Sequence, residues 1–220
     1  MQLCNPFLKD PGLKEIKGIV FDCDGVLFDS KDVNIHFYNQ VRSCFDLSPM
    51  SKEQEDFVHM HSVQESFNHI LPLGYESELS KIKDKLDYSS LLPHMRMEEG
   101  LVELLELLSL RKIKTAINTN RTTTMDLLLA TFGLDKYFWP VVTASDVSRP
   151  KPHPESLFKI MDIWSVSARE MVFIGDSIVD QETAQGADVQ FWGYKNDGLQ
   201  AKMLVPDFWI LRDFLMRNLD

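Results

Sequence analysis

The stretch that decides the fold is Gly18–Ser30, GIVFDCDGVLFDS, where an apolar run stops at Asp22 and a second aspartate, Asp24, follows two residues later. Lys17 to Asp22 (KGIVFD) lacks clean alternation, as expected of a strand covered on both faces. Two mutually repelling carboxylates at the end of such a strand are either a solvated loop or helix cap, or groups brought together for chemistry. The remainder of the chain separates the two.

Lys114 to Thr119 (KTAINT), Trp139 to Ala144 (WPVVTA) and Met171 to Gly175 (MVFIG) are short apolar runs of the same kind, and Val189 to Tyr194 (VQFWGY) is a fifth. Between them lie helical patterns at Glu98 to Leu110, Thr122 to Phe132, Pro154 to Ile163 and Ile178 to Ala187. Strands alternating with helices of this length predict an α/β fold, a parallel sheet with helices on both faces. The long stretch between the first two strands is different. Ser30 to Phe45, Lys52 to Leu71 and Glu76 to Tyr88 can each be written as amphipathic helices, broken at Ser48-Pro49 and at Pro72-Leu73-Gly74. This places a helical insert at residues 30–95 and leaves 1–29 and 96–220 for the α/β core. Asp29-Ser30 fits the outgoing hinge and first N-cap, and Leu92-Pro93 the return.

With 220 residues there is material for one substantial core and a smaller appended module. Hydrophobic residues make up 44% and charged residues 25%, and no apolar run approaches the ~20 residues that span a bilayer. Without a basic-then-apolar N-terminal signal, a cytoplasmic protein away from membranes is expected. The net charge of −10 opposes nonspecific binding to nucleic acid or anionic membrane, so an anionic small substrate needs a local cation to hold it. Cys4, Cys23 and Cys44 are odd in number and lack metal-ligand spacing, so they read as reduced thiols, with Cys23 a small packing residue.

In an open α/β sheet, ligands bind beyond the carboxyl ends of the strands. Here those ends carry Asp22 and Asp24, then Thr119-Asn120, then Asp176, while Lys151 sits in the loop after Ala144. Three carboxylates a few Å apart in a partly dehydrated cleft require either a protonated member or a divalent cation. Mg²⁺ takes hard oxygen ligands and shares carboxylates with a substrate phosphate, which suits Asp22 and Asp176; zinc is disfavoured without nearby His or Cys spacing. Plainer readings stand beside these. A threonine at a strand end is often a β-former, Arg149 could supply the cation instead of Lys151, and Asp180 could be an early-helix acid favoured by the dipole. His59, His61 and His69 cluster in the insert, but their helical spacing does not make a compact ligand set, and Phe45, Met60 and Phe67 read as packing. His36 and Arg42, on the first insert helix, could face the crevice.

DCDGVLFDS resembles the first motif of the haloacid dehalogenase superfamily of phosphohydrolases. AINTN resembles its second motif with Thr119, RPKPHPES its lysine loop with Lys151, and FIGDSIVD its fourth with Asp176 and Asp180. A lone DxD is weak, but four motifs in order over nearly the whole chain are specific. The resemblance implies a Rossmann-like core with an inserted helical cap domain, and a Mg²⁺-dependent phosphatase acting on a small phosphorylated metabolite, as in the phosphoglycolate phosphatase-like branch. It further implies that Asp22 is the nucleophile forming an aspartyl-phosphate and that Asp24 is the acid and base. Thr119, Asn120 and Lys151 would bind the phosphoryl group. Asp22, Asp176 and the main-chain carbonyl of Asp24 would hold the metal, and Asp180 would orient its neighbours.

Two positions depart from the family pattern: Pro150 replaces the usual glycine before the lysine-proline pair, and Asp188 replaces the glycine that ends the helix after the fourth motif. Aspartate tolerates the left-handed conformation that turn needs. A phosphomutase of the β-phosphoglucomutase type, passing the phosphoryl group to a second sugar hydroxyl, would use the same residues, and a binding protein with a relic site is the rival outside catalysis. Dehalogenase chemistry is disfavoured because relatives performing it lack an acid at the position of Asp24. A monomer or homodimer fits either reading.

Overall fold

The computed structural model of the chain describes residues 1–72, 74–75, 91–92 and 95–219. The expected helix Glu76–Tyr88, and residue 93 of the expected return, lie outside them. The described strands are β1 (Gln2–Leu3), β2 (Gly18–Phe21), β3 (Phe28–Asp29), β4 (Arg96–Met97), β5 (Lys114–Asn118), β6 (Val141–Val142), β7 (Met171–Gly175), β8 (Gln190–Tyr194) and β9 (Met203–Val205). The described helices are α1 (Lys31–Ser43), α2 (Lys52–Met60), α3 (Val63–Ile70), α4 (Leu101–Leu110), α5 (Met125–Phe132), α6 (Glu155–Trp164), α7 (Ile178–Gly186) and α8 (Phe208–Asn218).

Seven strands form one sheet in the order β1-β9-β8-β7-β2-β5-β6, parallel throughout. The period-2 geometry of a strand sends alternate side chains to opposite faces. Thus Ile19 and Phe21 of β2 and Val172 and Ile174 of β7 join one apolar cluster, with Leu104 and Leu108 of α4, Leu128 of α5 and Phe214 of α8. Val20 and Phe173 join the other, with Leu157 and Ile160 of α6 and Ala184 of α7. Both faces are covered, which is why the strand sequences read as unbroken apolar runs. This is the expected α/β architecture.

The differences are local. β6 is shorter than Trp139–Ala144 because Pro140 has no N–H to give the ladder at an edge. β1 and β9 are too short for any periodicity to announce them. The helix expected over Lys52–Leu71 is two helices. Ser62 adopts an extended conformation and starts α3 with a reciprocal capping box, its hydroxyl accepting from the Glu65 N–H and the Glu65 carboxylate accepting from the Ser62 N–H. Ser51 and Gln54 start α2 in the same way.

Between β2 and α4 the chain leaves and rejoins the core through an antiparallel pair, with Phe28 opposite Met97 and Asp29 opposite Arg96. Beyond it Tyr38, Val41, Met50, Val58, Ile70 and Leu71 form a separate apolar cluster. Arg42 holds this region together by donating to the carbonyl oxygens of Ser48, at 2.6 Å, and Ile70. That is a structural task rather than the crevice position suggested by its sequence. His36 is exposed and bonded to Gln40.

Phe21 meets Phe138 and Phe208 edge-on, with centroids 6.0 and 6.1 Å away, and is fully buried. Phe21→Ala should therefore cost about 3–5 kcal/mol in denaturant unfolding; a loss below about 1 kcal/mol would contradict this packing.

Candidate active site

The interior strand β2 lies between β5 and β7, so their carboxyl ends open onto one crevice. Asp22 continues β2, its N–H donating to the carbonyl oxygen of Ile174 at 2.9 Å. Asp176 follows β7, and Thr119 follows β5 with its N–H on the carbonyl oxygen of Val142 at 3.0 Å. Lys151 reaches in from the loop between β6 and α6. Its Nζ donates to Asp22 Oδ1 at 2.8 Å and to Asp180 Oδ1 at 2.6 Å, and the side chain is only 4% exposed. Arg149, the other candidate cation, is largely exposed and lies beside Glu155.

Asp22, Asp176 and Asp180 each offer a carboxylate oxygen within 4.8 Å of the others. Gly25 permits this close approach: it has φ +78°, and a Cβ there would overlap the Asp176 carboxylate. Asp180 has two roles. It is the N3 residue of the α7 capping box, accepting from the Ser177 N–H at 3.2 Å and hydroxyl at 2.6 Å, while its other oxygen accepts from Lys151. The helix-start reading fits the bonds to Ser177, and the bond to Lys151 places its other oxygen beside the acids. Asn120 donates to the carbonyl oxygen of Lys151 at 3.1 Å, tying the β5 loop to the lysine loop. The replacement Asp188 adopts φ 55°, the left-handed turn that a glycine would otherwise supply.

Asp24 has a different set of donors. Arg121 grips it with a two-pronged pair, Nε to Oδ2 at 2.7 Å and Nη2 to Oδ1 at 2.6 Å, while the Ser30 hydroxyl and Asn34 Nδ2, at 3.1 Å, also donate to Oδ1. Ser30 stands at the N-cap position of α1 as expected, yet its hydroxyl makes no cap bond; the carboxylate is the stronger acceptor. The sequence left Arg121 unassigned. The available signal was an arginine directly after the Thr119-Asn120 pair, at a strand end facing acids.

Electrostatics follow from this crowding. Burial first, and the neighbouring Asp180 charge second, raise Asp22 from the ordinary carboxylate range to about 7 against the opposing pull of Lys151. Burial and then Asp180 and Asp22 push Asp176 up as well. For Lys151, burial acts to lower its pKa, but the two carboxylates outweigh it and the ammonium is held above the ordinary lysine range. Cys23 is fully buried between the two aspartates; burial and the Asp24 charge push its thiol up, consistent with an inert packing group. In the insert, His61 and His69 both stack on Phe57, with centroids 3.7 and 4.0 Å away. No helix among the described residues is long and apolar enough to cross a membrane.

The comparisons with known proteins agree with the site. Residues 19–194 match the profile of the haloacid dehalogenase-like hydrolases. A solved HAD-superfamily hydrolase of subfamily IA from Geobacter sulfurreducens is 35% identical with a TM-score of 0.76, covering 91% of this chain and 97% of its own. The pyrophosphatase PpaX of Oceanobacillus iheyensis is 25% identical over 89% of this chain and 92% of its own length. A phosphoglycolate phosphatase of Pectobacterium atrosepticum is 33% identical over 51% and 48%. Strand order, the meeting of four sequence motifs at one crevice and the profile match lead to one conclusion: the chain belongs to the haloacid dehalogenase-like hydrolases and is a phosphohydrolase.

Proposed function

We propose that this protein is a Mg²⁺-dependent phosphatase that hydrolyses a small phosphomonoester through an aspartyl-phosphate on Asp22. The observation that carries the reading is the buried Lys151 ammonium bridging Asp22 and Asp180, with Asp176 beside them. If all three acids are ionised, one ammonium leaves the cluster two negative charges in excess, which a divalent ion would balance. All-oxygen donors of this kind fit magnesium. Asp22, Asp176 and the main-chain carbonyl of Asp24 would hold it, and when bound it would withdraw charge from the phosphoryl oxygens.

Asp22 attacks phosphorus while Asp24 protonates the departing oxygen; Asp24 then takes a proton from the water that cleaves the aspartyl-phosphate. The Thr119 hydroxyl and Lys151 bind phosphoryl oxygens as negative charge shifts among them. Asn120 supports that binding by holding the lysine loop, and Asp180 keeps Lys151 aimed at Asp22. We take residues 30–95 as a cap domain over a core of 1–29 and 96–220, a division supported by the separate apolar cluster and the paired strands at its base. The ester class draws support from the relative named for phosphoglycolate, while the relative named for pyrophosphate, an anhydride, supports only a small phosphorylated substrate.

Phosphate release from a panel of small phosphate esters should require Mg²⁺ and stop with EDTA, and Asp22→Asn should lose about 10⁴-fold or more in kcat. An active Asp22→Asn protein or metal-independent turnover would overturn the reading, and rearranged sugar phosphate in place of free phosphate would reassign it to a mutase.

Stability supplies a second test. A carboxyl raised by folding stabilises the fold below its unfolded pKa and loses that contribution as pH rises through the folded value, here from the ordinary range towards about 7 for Asp22. Lys151, also raised, loses its contribution only in the alkaline range above this window. Metal-free protein should therefore melt at a lower temperature at about pH 8 than at about pH 5, with Mg²⁺ raising the higher-pH value more. Asp176→Asn should shrink both effects in thermal melts; an unchanged Mg²⁺ shift in that variant would rule out Asp176 as a ligand.

A further inference from the structure

The guanidinium of Arg121 is 7% exposed and the Asp24 side chain 14%. The two residues are 97 positions apart, one following β2 and the other following β5. Two parallel N–H donors fix a carboxylate in its plane as well as in position, which a single lysine ammonium does not do. Arg121 is itself rooted on the β5 loop: its N–H donates to Thr119 Oγ1 at 3.1 Å, its carbonyl oxygen accepts from Ala144 N–H at 2.9 Å, and Nη1 donates to Thr124 Oγ1 at 3.3 Å. The loop that presents Thr119 to the phosphoryl group thus also sets the direction of Asp24. Nη2 reaches Asn34 Oδ1 at 3.4 Å, and Asn34 donates to Asp24, so the first helix of the insert is part of the same assembly.

We infer that Arg121 is the positioning residue that aims the Asp24 carboxyl group at the leaving oxygen, an inference that rests on the phosphatase reading above. In the first half-reaction an oxygen of Asp22 forms a bond to phosphorus, the P–O bond to the leaving group breaks, and the proton on Asp24 goes to that oxygen. An alkoxide needs this proton. A para-nitrophenolate leaves without it, so misdirecting Asp24 should penalise alkyl esters selectively.

The test compares kcat/KM for the best alkyl phosphate of the panel and for para-nitrophenyl phosphate, with Mg²⁺ saturating, in wild type, Arg121→Met, Arg121→Lys, Asp24→Asn and the Arg121→Met/Asp24→Asn double variant. Arg121→Met should lose about 10²-fold on the alkyl ester and less than about 5-fold on the aryl ester. Arg121→Lys, which keeps the charge and loses the fork, should show the same imbalance to a smaller degree. The double variant should lie within about threefold of Asp24→Asn on the alkyl ester, because a residue acting only through Asp24 has nothing left to position. Equal losses on both esters in either Arg121 variant, or losses that multiply in the double variant, would overturn the inference. If Arg121→Met does not fold, the ester ratio of Arg121→Lys decides by itself. A wild-type protein silent on every ester would instead remove the phosphatase reading beneath it.

Discussion

A single buried ammonium governs this structure. Lys151 sits between Asp22 and Asp180 with Asp176 close by, at the point where three strands of the sheet end. Removing charges from water is costly, and the cost is offset only where partners are close and well aimed. Most of the local architecture can be understood as aiming those partners. Gly25 has no side chain because the Asp176 carboxylate occupies that space. Asp180 gives one oxygen to the start of α7 and the other to Lys151. Asn120 fixes the lysine loop from the neighbouring strand end.

Burial first, and the neighbouring carboxylates second, raise Asp22 and Asp176, a state that disfavours their ionised forms unless further positive charge arrives. In the proposed reaction that charge comes with the metal, so the residues that bind the cation and the residue that attacks are activated by one event. Asp24 adds a smaller repulsion to this balance and is itself held by Arg121, Ser30 and Asn34. Two acids separated by one residue in the sequence thereby receive two different environments.

The region between β2 and α4 has its own apolar cluster, its own capping boxes and an arginine stitching its loops together. Among the described residues, Ser30 and Asn34 at the start of α1 tie it to the site by donating to Asp24. A helical region attached in this way can influence the direction of the Asp24 carboxyl group while the sheet holds Asp22 still. Two of the histidines that cluster there in sequence, His61 and His69, are used as ring partners for Phe57.

Most of the architecture was legible before folding, because strands buried on both faces must be apolar throughout and the helices between them must show a 3.6-residue stripe. β2, β5, β7 and β8 could be read in this way, as could the identities of Asp22, Asp24, Thr119, Lys151 and Asp176 at or near strand ends. Ser62 was harder to read: a serine inside an apolar stripe can continue a helix or begin one, and only its bonds with Glu65 decide. β1 and β9 were illegible because two or three residues carry no period. Arg121 was missed because its meaning lies in a partner 97 positions away, and a sequence holds no distances. The chain by itself determined which residue types stand at the ends of its strands, since burial dictates where apolar runs must stop. Tertiary structure alone decided which charge faces which, because that depends on sheet order and loop direction: Lys151 rather than Arg149 reaches Asp22, and Asp24 turns to an arginine.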